Sequence, residues 1–140
     1  MKAANTLQLL CLLTLFTLTA CRTASVAKSG SEMLVRISEI EIYRDSLPAY
    51  KAILKEEAEA SVRLESGVIS IFPMYEQKDS TQIRILEIYA NKEAYQSHIK
   101  SPHFLKYKTT TLSMVKALRL VDMNAMDTET MTKIFSKLND

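Results

Sequence analysis

The sequence predicts an α+β domain with element order β-α-β-β-α-β and an amphipathic helix after it. Three observations predict it. Residues 33–43, 68–75, 81–89 and 117–123 are rich in Ile, Val, Leu, Phe and Met and largely alternate side to side at period two. The stretches between the first and second, and between the third and fourth, change to helical spacing. The second and third are separated only by the short polar run 77–80, enough for a hairpin turn.

In residues 33–43, Val35 and Ile37 share one parity and Ile40 and Ile42 the other. That change of phase predicts a bulge, or a strand buried on both faces. Arg44-Asp45-Ser46 is a turn in which Asp45 or Ser46 caps the following helix, with Pro48 tolerated in its first turn. The helix runs to about residue 64. Leu47, Tyr50, Leu54, Ala58 and Ser61 make its inner face, while Lys51, Lys55, Glu56 and Glu59 are solvated. Glu65-Ser66-Gly67 ends it, with Gly67 as a left-handed C-terminal residue. In 68–75, Pro73 cannot donate to a ladder and points to a bulge or a sheet edge. In 81–89, Ile83, Ile85, Glu87 and Tyr89 share one face, and Arg84, Leu86 and Ile88 the other. Asn91 then caps a short helix that carries Ala94, Tyr95 and His98 on one side, with Glu93 in the first turn. Ser101-Pro102 restarts a helix, and Phe104, Tyr107, Leu112 and Val115 continue its face to about residue 116. The fourth strand, 117–123, carries Leu118 and Leu120 on one face and Val121 and Met123 on the other or at its end. Asp127-Thr128 caps the tail helix, with Met131, Ile134, Phe135 and Leu138 as its apolar stripe.

This order is the ferredoxin-like split βαβ arrangement. Helices cover one face of such a sheet. The other face is apolar here too, since both parities of the first three strands carry Ile, Val, Leu or Phe. A bare apolar face of that size predicts a homodimer packed sheet on sheet.

Not all of the 140 residues belong to this domain. Lys2 is followed by a largely apolar run from 7 to 20, shorter than the roughly 20 residues that span a bilayer. It ends in Leu18-Thr19-Ala20-Cys21, which resembles a bacterial lipoprotein signal: residues 1–20 are removed and Cys21 is lipidated. Residues 21–32 then form a polar tether, 33–126 the domain and 127–140 the tail helix. The expected location is the cell envelope, bound to membrane only through the lipid. Arg22 follows the cysteine, with no Asp of the kind that resembles an inner-membrane retention signal, so the outer membrane is expected in a Gram-negative host. Cys11 would leave with the signal and Cys21 would be alkylated, so no disulfide is expected. Removal of Lys2 takes the formal net charge from +2 to +1, which argues against a nucleic-acid partner.

Glu65-x-Gly67, the strand end Glu87-x-Tyr89, and the string Glu93-Ala94-Tyr95-x-x-His98-x-x-Ser101-x-His103-Phe104 resemble the antibiotic biosynthesis monooxygenase (ABM) domain, a dimeric α+β barrel. The resemblance covers roughly residues 33–123. The family it resembles holds several chemistries, among them cofactor-free quinol oxidation, haem degradation and sugar-phosphate isomerisation, alongside many members of unknown role. Haem-degrading members depend on a pocket Trp with Asn and His; this chain has no Trp, which disfavours that branch. The cofactor-free reading needs a small aromatic substrate, dioxygen, a base, donors for the substrate anion and a dry pocket. His98 would be base or anion donor with Glu87 orienting it. His103, at a helix start, would face an anionic oxygen. Tyr89, Tyr95 and Phe104 would form the aromatic wall, and Arg84 would meet a carboxylate or phenolate. The same residues also fit plain packing and capping roles. An envelope lipoprotein that binds a small molecule without turnover, or an isomerase, therefore stands as the alternative. No cofactor is expected. No metal site is expected either, because no helical or turn spacing joins the histidines and Glu87 as ligands. Gly30 and Gly67 are the only glycines, too few for a phosphate-cradling loop.

Overall fold

The structure, a computed structural model, describes residues 33–137; the expected signal and tether lie outside the described residues, as do 138–140. Strand β1 (Leu34–Ile42) is followed by a 3-10 turn and helix α1 (Leu47–Leu64). The hairpin β2 (Val68–Tyr75) and β3 (Gln82–Tyr89) comes next, then the short helix α2 (Lys92–His98) and α3 (Pro102–Thr111). Strand β4 (Val115–Met123) closes the sheet and α4 (Glu129–Lys137) follows. The sheet is antiparallel in the order β2-β3-β1-β4. This is the predicted ferredoxin-like α+β arrangement.

Cross-strand rows explain which residues face the helices. Ile71, Glu87, Arg36 and Asp122 form one row, and Pro73, Ile85, Ser38 and Leu120 the next. Tyr75, Ile83, Ile40 and Leu118 form a third. The core lies under α1, where Ile40, Ile42, Ile83 and Ile85 meet Tyr50, Leu54 and Ala58. At Arg36 and Ser38 the buried parity of β1 becomes polar. The apolar pair Val35 and Ile37 lies on the opposite face. The change of phase in β1 therefore marks where its inner face passes from core to cavity, and the only irregularity in its pairing is a register shift at Glu41/Ile42 against β4.

Pro73 sits in an edge strand, as its missing donor requires. A second register shift, between Val68 and Ser70, lets Val68 and Ile71 both face inward. The helix starts differ from expectation at one place. Ser46 makes no side-chain capping bond, because the 3-10 turn before α1 already satisfies a free amide, with Leu47 N–H bonding to Arg44 O. Gly67 does not have the left-handed conformation; it is needed for space. A Cβ there would lie 2.5 Å from Ala94 Cβ, where α2 crosses the start of β2. The strand β4 begins two residues earlier than expected, after a 3-10 turn at 112–114.

Candidate functional site

Two caps fix the histidines. Ala94 N–H donates to Asn91 Oδ1 at 2.7 Å, which starts α2 so that His98 closes it. Phe104 N–H donates to Ser101 Oγ at 3.3 Å, with Pro102 opening α3, so that His103 lies in its first turn. The two rings are 6.2 Å apart, centroid to centroid, and both turn toward the end of α1. There Glu65 Oε1 accepts from His98 Nδ1 at 2.9 Å and from His103 Nε2 at 2.6 Å.

His98 is 2 % exposed. Its other nitrogen, Nε2, lies 3.7 Å from Glu57 Oε1. Burial pushes the Glu57 carboxyl up from its ordinary value, against the Ser61 bond and the two imidazoles, which pull it down. The Ser61 hydroxyl is 2.7 Å from that carboxyl and 2.9 Å from the Glu57 carbonyl. It has one proton to give, so a protonated Glu57 can supply the second bond.

A cavity of ≈ 330 Å³ opens between the sheet and the helices. His98, Glu57, Tyr89, Tyr95, Phe104 and Tyr107 line it, with Arg36, Ser38 and Glu87 on the sheet side. Leu118 and Leu120 of β4 complete the wall and are about half exposed. The cavity therefore opens at the β4 edge through an apolar mouth. The rings are in mutual contact: His98–Phe104 at 4.8 Å, His98–Tyr89 at 5.3 Å and Tyr89–Tyr95 at 5.3 Å. Tyr50 and Tyr107 share a hydroxyl–hydroxyl bond of 2.6 Å. Arg36 is nearly buried. Its guanidinium lies over the Tyr95 ring at 4.6 Å and bonds Asp122 through Nε and Nη2, each at 2.6 Å.

The structure brings His98, Tyr89, Tyr95 and Phe104 to this cavity, as expected. Three expectations about its neighbours need correction. Glu87 does not orient His98; its carboxylate takes the hydroxyls of Tyr89, at 2.9 Å, and Ser38. His103 lies behind His98 on Glu65 rather than facing the cavity. Arg84 is on the opposite face of the sheet, bonded to Glu76 at 2.8 Å, because its parity in β3 is that of Leu86 and Ile88. Arg36, one strand over and on the other parity, occupies the position expected of it. Spacing along the chain did not join Glu65 to the histidines; the fold brings the donor atoms of Glu65, His98 and His103 within 4.8 Å of one another.

Residues 33–110 match the antibiotic biosynthesis monooxygenase family. The chain belongs to that family. An antibiotic biosynthesis monooxygenase, so named provisionally, from Bacteroides thetaiotaomicron is 45 % identical over 70 % of this chain and 93 % of its own, with a TM-score of 0.68. A provisionally named monooxygenase from Lactobacillus acidophilus is 25 % identical over 66 % of this chain and 44 % of its own, with a TM-score of 0.64. A provisionally named antibiotic biosynthesis monooxygenase from Nitrosomonas europaea shares the fold at 20 % identity, with a TM-score of 0.66 over 70 % of this chain and 94 % of its own. Among proteins of curated function, none matches.

Proposed function

We propose that this ABM-family chain is a cofactor-independent monooxygenase that oxidises a small aromatic, such as a quinol, with dioxygen. The observation that carries the proposal is the Glu65–His98 pair at the wall of an aromatic-lined cavity. Because Nδ1–H donates to Glu65, the neutral ring keeps its lone pair on Nε2, the nitrogen turned to the cavity side. A hydroxyl of the substrate placed there loses its proton to Nε2, and the electron-rich anion reduces dioxygen directly. For a hydroquinone the balance is hydroquinone plus dioxygen giving a hydroxyquinone plus water, with the substrate supplying all the electrons. Arg36, held in place by Asp122, lines the cavity and offers its remaining guanidinium N–H donors to the anion. The aromatic wall and the apolar mouth limit the water that reaches the intermediate.

The proposal includes lipid attachment at Cys21, an envelope location, and a homodimer. It is supported by the apolar run that ends at the cysteine and by the apolar rows on the outer face of the sheet. A second reading, binding without turnover, is favoured by the exposed leucines at the mouth, which suit a ligand that partitions into lipid.

Oxygen uptake by the full-length protein in detergent, across a panel of hydroquinones without added metal or flavin, separates the two. The oxygenase predicts uptake that falls by about 10²–10⁴ in His98→Ala, the usual worth of a general base. Uptake unchanged by that substitution would remove His98 from the mechanism. No uptake, with quinones still raising the melting temperature, would favour the binding reading.

A further inference from the structure

Glu65, His98 and His103 come from three elements: the end of α1, the end of α2 and the first turn of α3. Their donor atoms all lie within 4.8 Å of one another. We propose that these three side chains form a binding site for a divalent first-row cation, with Zn²⁺ as the best-suited ion.

The donor set is two imidazole nitrogens and one carboxylate, the combination that suits zinc and related ions and leaves a position open. In a tetrahedral site with bonds of about 2.1 Å, donors sit roughly 3.4 Å apart. Glu65 Oε1 is now 2.9 Å and 2.6 Å from the two nitrogens. Entry of the ion therefore asks the carboxylate to open from each nitrogen by under about 1 Å, and the two nitrogens, which lie within 4.8 Å of each other, to settle near the same roughly 3.4 Å spacing. A second observation lies behind the ring: His98 Nε2 faces the Glu57 carboxyl at 3.7 Å. An outer carboxyl is the usual partner of a ligating histidine, and this one stands beside the ring's other nitrogen, just beyond hydrogen-bond length. Access is open, since the side chains of Glu65 and His103 are 16 % and 17 % exposed. The ion would clip α1, α2 and α3 together. It would replace the proton on His98 Nδ1, so the loaded site and the Glu65-oriented base are alternative states of one cluster. Direct binding tests this site whether or not His98 turns over a substrate.

The full-length protein, stripped with a chelator, is titrated with Zn²⁺ by calorimetry and with Co²⁺ by visible absorption. The expected result is one equivalent per chain, a Co²⁺ absorption band, and a higher melting temperature with Zn²⁺. His103→Gln and Glu65→Gln should each weaken binding by about 100-fold or more, beyond the loss typical of an outer-shell change. The chain has only two histidines. In the unaltered protein Co²⁺ should therefore shift both sets of ring resonances, which gives the answer even where a variant does not fold. No saturable binding at millimolar cation overturns the site, as does binding that both variants retain in full or that leaves the ring resonances unmoved.

Discussion

Tyr50 is fully buried, and among the described residues its hydroxyl bonds the hydroxyl of Tyr107. Neither phenol can ionise cheaply. Burial pushes Tyr107 up to about 12, and burial together with the Tyr107 neighbour drives Tyr50 higher. In the unfolded chain both ionise near 10. Their contribution to stability is thus fully present below about pH 10 and is lost as pH rises through the folded values. Absorbance at 295 nm should show these phenols ionising only as the far-ultraviolet circular dichroism collapses, and Tyr50→Phe should move the alkaline transition upward. Ionisation of every tyrosine before the fold melts would contradict the pairing. The residues of the site were unequally legible for a related reason. His98, Tyr89, Tyr95 and Phe104 could be read because capping and spacing put them on inner faces. Glu57 was hidden in the charged run 55–59, although it stands three residues after Leu54 and four before Ser61, on the inner stripe. Glu65 reads locally as a solvated helix end, and its bond to His98 spans 33 residues, which no local pattern reports.

The elements were set by local signals, and their contacts by space. The Asn91 and Ser101 caps, the hairpin and the edge proline were visible because each is a short-range bond or the lack of one. The close approach of α2 to β2 was not visible: Gly67 looked like a helix terminator, and it is in fact the gap that admits Ala94. Gly67→Ala should therefore act through overpacking and cost about 1–3 kcal/mol. For a domain of this size that lowers the melting temperature by about 4–8 °C per kcal/mol. Adding Ala94→Gly should recover part of the loss, measured by thermal melts of the two single variants and the double. Full stability in Gly67→Ala alone would mean that α2 shifts freely, and the positioning of His98 by this contact would have to be given up. The parity change in β1 is the one signal that pointed both ways. It showed apolar residues on both faces but could not show that Arg36 and Ser38, not Val35 and Ile37, would be the buried pair, because inward polar residues need a cavity that only the assembled fold provides.

At the scale of the molecule, the outer face of the sheet is divided. Phe72, Leu86, Ile37 and Val121 form one apolar row across all four strands, and Ile88, Val35 and Met123 continue into the next. Toward the other end the face is charged, with Glu39 paired to Arg119 and Glu41 to Lys116. Phe72 and Met123 in these rows are about half exposed, while Ile88 is buried. Two such faces related by a two-fold axis would bury row on row, while the charged ends set the register. Phe72 is 57 % exposed in the single chain, so a charge there costs an isolated subunit little and a packed interface a great deal. Sedimentation at micromolar concentration should show the unaltered protein as a dimer and Phe72→Lys as a folded monomer with unchanged circular dichroism. If the unaltered chain sediments as a monomer across that range, sheet-on-sheet pairing is wrong, and the apolar rows must face a membrane or another protein instead.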